Sequence, residues 1–337
     1  FASLAGTMLL LSDDERQRVK GVIINKFRGD IEILKPGIRM LEDIIRVPVL
    51  GVLPYFNLNL DDEDGHLDER FSRRYEPKSD EIDITVIKLP HMSNYTDFNA
   101  LETIPGVSVR YVDCCPLTGN PDMIILPGTK NTIEDLISIR ECGLEEEIRE
   151  HHRRGTPVFG ICGGYQMLGD EISDPCHMES RIPAVRGMGL LKMKTVFQKE
   201  KITTWTEAVI TDEIGLLEGL AGTMVSGYEI HMGSTEFEEE CVPCLTTRSV
   251  LGQNAERVDG VGNRDGSVLG TYIHGIFDNL DFTTGFINNL RKTRGLEEIR
   301  VRHRQFKEYK ETQYDKLAAI LGSNIDMEAL YRILNGV

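Results

Sequence analysis

The sequence predicts an α/β protein whose main body is a doubly wound parallel sheet. Three observations carry this. Between Ile82 and Gly169, short apolar runs rich in β-branched residues alternate regularly with helical stripes. Before residue 60, a strand, a helix and a strand follow within about 35 residues, the spacing of a βαβ unit. Between these regions, Asn57 to Ser79 is polar and charged, with Asp61, Asp62, Glu63 and Asp64 in a row, the composition of a solvated linker. A chain of 337 residues has room for roughly two domains. Cores of that size need no disulfide or metal to hold them.

Taken in order, Phe1 to Leu11 has Ala and Leu at helical spacing, and Val19 to Asn25 reads as a buried strand. Lys35 to Arg46 places Ile38, Leu41, Ile44 and Ile45 on one stripe of an amphipathic helix. Val47 to Leu53 is a second strand, and Pro54 opens a loop. Two strands are too little sheet for a domain, so residues 1–60 read as the end of an α/β domain. Ile82 to Leu89, Val107 to Val112 and Met123 to Leu126 are strands, with a short helix over Tyr95 to Leu101. The third strand runs into Pro127-Gly128-Thr129-Lys130. Ile133 to Ile139 and Leu144 to Arg153 are helical, and Pro157 to Ile161 is the fourth strand. Beyond Gly169 the segments Gly189 to Phe197, Trp205 to Ile210, Thr223 to Gly227 and Val268 to Ile273 suggest mixed or antiparallel strands added to the sheet. Phe282 onward is helical, and Tyr309 to Asn335 carries two helices.

Composition removes several function classes. A net charge of −16 opposes a general nucleic-acid or anionic-membrane surface. No apolar run approaches the ~18 residues that span a bilayer. The seven cysteines are irregularly spaced, as in a reduced cytoplasmic protein rather than a secreted disulfide framework. Cys241 and Cys244 form one CxxC without a second pair, so no metal site is expected. Arg300, Arg302, His303, Arg304 and Lys307 make one basic cluster, read as a solvated helix face.

The chemistry centres on Thr156 to Gly169, TPVFGICGGYQMLG. A strand ends at Ile161, Gly163 and Gly164 follow, and a helical pattern begins at Tyr165. Cys162 therefore stands on a sharp strand-to-helix turn, the position of a nucleophile elbow. Peptide N–H groups there favour a thiolate and can hold an oxyanion. A thiol nucleophile also needs a base. His274, delivered by the strand-like run Leu269 to Ile273 and followed by Gly275, is one choice; His231, set between Gly227 and Gly233, is the rival. His91 follows a strand and is placed to line a cleft. His151 and His152 lie in a charged helix and read as surface residues.

GICGGYQ with a downstream GTYIHGIF resembles the class I glutamine amidotransferases, in which a cysteine attacks the side-chain amide of glutamine and a histidine shuttles the proton. The resemblance implies Cys162 as nucleophile and His274 as base and acid. It implies the N–H groups of Gly163 and Gly128 as oxyanion donors, the latter in the LPGT loop, and Gln166 as part of the glutamine pocket. Most members carry a glutamate two residues after the histidine. Here that position is Ile276, so the resemblance implies that a backbone carbonyl or some other group orients His274. Lack of that acid is a feature of the branch that amidates cobalamin precursors, the cobyric acid and cobyrinic acid diamide synthases. INKFRGD, LPGTKNT and SGYEIHMG agree with the cobyric acid synthases within it.

The charge run and the short first sheet set boundaries at residues 1–60, 61–80 and 81–337. For these the resemblance has a reading. It implies the C-terminal half of a P-loop-type, dethiobiotin synthetase-like domain, a charged linker, and a glutamine amidotransferase domain ending in helices. It further implies ATP with Mg2+, glutamine and a corrinoid carboxylate as partners, no bound metal in this chain, and amidation of the b, d, e and g side chains of adenosylcobyrinic acid a,c-diamide. Asn25 and Lys26, at a strand end, are candidates to contact the nucleotide, and His231 to stand at the acceptor face or domain junction. The phosphate loop that such a domain needs is not found; Gly6-Thr7 lacks the following lysine, and about one domain is expected upstream. A cobyrinic acid a,c-diamide synthase, another amidoligase with the same glutaminase, and a catalytically silent binding homologue are the alternatives.

Overall fold

The computed structural model describes the backbone of residues 1–56, 79–113, 116, 117, 119–300 and 303–336, and the side chains of all these except 303–310. The predicted charged linker and the basic cluster from Arg302 to Lys307 thus lie largely outside the described residues. Two compact units divide the chain, residues 1–60 with 304–337, and residues 61–303.

In the first unit, helices Ala2–Leu10, Asp13–Arg18 and Ile31–Ile45 accompany β1 (Val22–Phe27) and β2 (Val49–Pro54), which pair in parallel. Met8, Leu41, Ile45 and Val47 form its core, each side chain adding roughly 1.5–3 kcal/mol by leaving water. The third helix begins ahead of the predicted Lys35 because Asp30 caps it, accepting from Glu32 N–H at 2.8 Å. Pro36 consequently lies inside the helix instead of bounding it. The helices His303–Asn324 and Met327–Leu334 cluster with this unit, not with the second as expected. Asp326 N–H donates to Leu50 O at 2.7 Å, and Ile325 bridges to Gly51.

The second unit holds an eleven-stranded sheet. Its strands are β3 (Ile82–Ile87), β4 (Val107–Val112), β5 (Met123–Leu126), β6 (Val158–Ile161), β7 (Glu171–Ser173), β8 (Ala184–Arg186), β9 (Met193–Ile210), β10 (Met224–Phe237), β11 (Val242–Val250), β12 (Gln253–Gly262) and β13 (Val268–Thr271). They run in the order β4-β3-β5-β6-β13-β12-β11-β9-β7-β8, with β10 paired to β9. β4, β3, β5, β6 and β13 are mutually parallel. Every residue of β3, β5, β6 and β13 is buried, as expected where both faces are covered. The chain passes to opposite sides of β3 to form β4 and β5, so a topological switch point lies there, and the carboxyl ends of β3, β5, β6 and β13 share one edge.

Past β13 the sheet becomes antiparallel through β12, β11 and β9. β10 folds back from β9 until Tyr228 pairs with His274, just beyond β13. Five strands thereby close into a ring. Two predicted segments, Gly189 to Phe197 (from Met193 onward) and Trp205 to Ile210, fall on the single strand β9. β11 and β12 were not expected at all. They form a hairpin whose turn residues Leu251 and Gly252 both have positive φ, 49° and 76°, the requirement of a type I′ turn. Among the described residues no helix is long and apolar enough to cross a membrane.

Candidate active site

β6 carries the chain to the shared sheet edge, and Cys162 follows with φ 51° and ψ −109°. An L-residue rarely adopts that backbone, and such strain concentrates at working sites. The chain then turns at once into the short helix Gly163–Met167. Gly164 is what lets this helix lie against β5, since a Cβ there would stand 2.0 Å from Leu126 O. Cys162 is 6% exposed, and its thiol donates to Ile230 O at 3.4 Å. Gly163 abuts the loop after β5, where a Cβ on it would sit 3.2 Å from Thr129 N. In the same loop Gly128 faces the base: a Cβ on it would lie 2.7 Å from His274 Cε1. The fold therefore gathers Cys162, Gly163, Gly128 and His274, residues the sequence singled out from three separate stretches.

His274 is fully buried, and its Nδ1 lies 2.7 Å from Asp97 Oδ2. Asp97 stands on the 3₁₀ turn Tyr95–Phe98 after β3 and is 1% exposed; its Oδ1 accepts from Gly275 N–H at 2.9 Å. Asp97 is thus the other group beside His274, where Ile276 stands in place of the usual glutamate. The carboxylate comes from far upstream in the chain, where proximity in sequence gives no hint of it. Burial disfavours the imidazolium, but the Asp97 charge, its hydrogen bond and the nearby Cys162 sulfur outweigh it, holding His274 up at about 10. With Nδ1–H donated to Asp97, the ring's working nitrogen is Nε2. Tyr228 stacks on the ring at 5.1 Å between centroids and 18° between planes. Asn94 Nδ2 lies 3.2 Å from Nε2.

Gln166 is buried and held at both ends: its Oε1 accepts from Thr132 Oγ1 at 3.2 Å and its Nε2 donates to Tyr272 Oη at 3.3 Å. Nearby, Glu179 accepts from Thr132 N–H at 3.0 Å, and burial raises its carboxyl to about 6. His231, the rival base, does not reach the thiol. Its side chain points into the ring of strands, with Nδ1 2.9 Å from Gly233 O and Nε2 3.2 Å from Glu229 Oε2, and it stacks on Tyr272 at 3.9 Å. Buried and with both nitrogens engaged, His231 also lines the cavity beside this network. Alternate residues on β10 divide the work: Tyr228 faces the catalytic groups, whereas Glu229 and His231 face the ring interior. Arg257 donates to Glu229, and despite burial the His231, Thr206 and Arg257 hydrogen bonds hold that carboxyl down at about 2. Beside this network is a cavity of ≈280 Å³ lined by residues including Arg257, Asp259, Tyr165 and Tyr272.

Asn25 and Lys26 are exposed on β1, and the Asn25 side chain accepts from Lys26 N–H at 2.9 Å. His91 pairs with Asp135 at 2.7 Å. His151 is buried, not on the surface as expected, because its helix turns that face inward. Cys241 and Cys244 are free and buried, and no group of three or more metal-ligating side chains occurs among the described residues. Asp97, Asn94 and Tyr228 were not singled out from sequence. The one available signal was an acidic residue within the short turn that follows a core strand.

The domain family described as CobB/CobQ-like glutamine amidotransferase matches residues 83–282. Cobyric acid synthase of Clostridium tetani is 49% identical over 334 residues, covering 99% of this chain and 64% of that protein. Cobyric acid synthase of Clostridium novyi is 47% identical over 336 residues, covering 99% and 64%. That of Thermoanaerobacter sp. is 48% identical over 335 residues, covering 99% and 65%. The chain thus spans about two thirds or slightly less of the length of these relatives.

Proposed function

Because this chain belongs to the CobB/CobQ-like glutamine amidotransferase family, we propose that it hydrolyses glutamine at Cys162 and delivers the ammonia to a corrinoid carboxylate, as a cobyric acid synthase. The observation that carries the reading is the strained Cys162 beside an imidazole paired with buried Asp97. The proton shared by Cys162 and His274 rests on His274 Nε2 as the Cys162 sulfur attacks the side-chain carbonyl carbon of glutamine. N–H groups of Gly163 and Gly128 receive the developing oxyanion. His274 returns the proton to the amide nitrogen, the C–N bond breaks, and ammonia leaves a glutamyl thioester. Water then displaces the sulfur and releases glutamate. Gln166, fixed between Thr132 and Tyr272, helps shape the substrate pocket.

The family resemblance also implies ATP and Mg2+, which would activate the acceptor carboxylate as an acyl phosphate. The described residues do not fit that group. Gly6 and Thr7 lie inside the helix Ala2–Leu10, where Thr7 Oγ1 donates to Ser3 O at 2.9 Å, and no phosphate-cradling glycine loop adjoins Asn25 or Lys26. The chemistry assigned to these residues therefore ends at ammonia. The test is ammonia release from glutamine by this chain and by Cys162→Ser. Loss in the variant is expected; equal release by both would remove Cys162 from the mechanism.

A further inference from the structure

Asp97, Tyr228 and the thiol account for three surroundings of His274. The fourth is Asn94. Its backbone is left-handed, φ 55° and ψ 47°, a conformation asparagine tolerates better than most residues. The preceding Ser93 is tied to the oxyanion loop, its N–H donating to Gly128 O at 2.9 Å. The carboxamide is thereby held at the edge of the catalytic ring. Its Nδ2 lies 3.2 Å from His274 Nε2 and 3.3 Å from Ser93 Oγ, and its Oδ1 accepts from the Tyr228 hydroxyl at 3.2 Å.

Those contacts suit a group that must serve two protonation states. A neutral His274 accepts at Nε2 from the amide N–H, while Tyr228 donates to Oδ1. When Nε2 is protonated, a half-turn of the amide presents Oδ1 to it and N–H to the tyrosine oxygen. A tyrosine hydroxyl both donates and accepts, so neither state forfeits a hydrogen bond. Any small molecule exchanging a proton with Nε2 must come within about 3 Å of it. Since Nδ2 and Nε2 are only 3.2 Å apart, such a molecule is also within reach of the amide.

Resting on the glutaminase reading above, we propose that Asn94, aligned by Tyr228, holds the water that hydrolyses the glutamyl thioester. That water gives one proton to His274 Nε2 as its oxygen bonds to the thioester carbon. The C–S bond then breaks, leaving Cys162 as thiolate beside the imidazolium. The second proton of the water leaves with the new γ-carboxyl group and passes to solvent.

Asn94→Gly removes the amide while suiting the left-handed backbone, and Tyr228→Phe removes the hydroxyl while keeping the ring stack. Rapid-quench assays with glutamine follow ammonia and the acid-trapped thioester. Asn94→Gly is expected to release one ammonia per active site in a burst and then turn over about 10²-fold more slowly, the loss typical of a misplaced reactant. Thioester accumulates, and kcat and KM fall together while kcat/KM stays within about threefold, because only the second step is slowed. Tyr228→Phe shifts the same quantities in the same direction by less. A fall in kcat/KM equal to that in kcat with no thioester, or unchanged turnover beside a normal wild type, would overturn this assignment alone. A wild-type chain that releases no ammonia from glutamine would overturn the glutaminase reading, and this assignment with it.

Discussion

Asp97→Asn tests the least expected part of the site. The substitution keeps the size of the side chain and an oxygen for Gly275 N–H, but removes the charge 2.7 Å from His274 Nδ1. Both groups are essentially unexposed, so solvent does little to screen them. With charge centres about 4 Å apart and an effective dielectric of about 20, the carboxylate stabilises the imidazolium by about 4 kcal/mol. At 1.36 kcal/mol per decade this corresponds to about 10³ in rate. The expected result is a fall of about that size in glutaminase kcat, with KM within a few-fold of wild type. The pH profile supplies a second readout. In the folded wild type His274 holds its proton up to about 10, against about 6.5 in an unfolded chain. The folded state therefore binds the proton more tightly, so the stability from this pair is complete below about 6.5 and fades as pH rises through about 10. The alkaline limb of activity lies near the same upper value and moves toward neutrality in Asp97→Asn. Thermal melts establish that the variant is folded before rates are compared. A folded variant retaining kcat within about fivefold, or keeping the wild-type alkaline limb, would show that Asp97 does not support the base.

Two further outcomes follow from local geometry. Gly128→Ala puts a Cβ 2.7 Å from His274 Cε1 and displaces the ring by several tenths of an ångström. Glutaminase activity should fall about 10²-fold, with little change in melting temperature; full activity would place the Gly128 loop away from the base. Thiol alkylation of the native chain should modify exposed Cys142 and Cys176 readily and leave buried Cys244 intact, its thiol pushed well up by burial. Peptide mapping reads this out, and labelling of Cys244 at the rate of Cys176 would contradict the packing of β11.

The sheet half of the second unit was legible because β3, β5, β6 and β13 are buried on both faces and are largely apolar, Asp83, Thr85 and Thr271 excepted. The elbow was legible because a turn that tight admits few residues besides glycine around Cys162. β11 and β12 were hidden for the opposite reason. Their inward positions include Thr247, Arg257 and Asp259, which serve the polar interior of the strand ring, so alternation of apolar and polar residues is lost. Asp97 was hidden because the usual place to seek an orienting acid is beside the histidine in sequence. In this fold β3 and β13 bring the partners together across the sheet edge. The C-terminal helices were legible as helices, but an amphipathic stripe does not say which body it packs on.

Closure of the five-stranded ring through Tyr228 and His274 also has a temporal meaning. Local turns can bring β11 to β12 early, whereas pairing β10 with the end of β13 must wait until the intervening hairpin is folded, because long loops are closed at an entropic cost. His274 N–H donates to Tyr228 O at 2.8 Å, so the base reaches its place only with this late pairing. A nascent chain would carry Cys162 before it carries a base to use it. Competence to hydrolyse glutamine then arrives as one of the last events of folding, and refolding monitored by tyrosine fluorescence should be nearly complete before glutaminase activity rises.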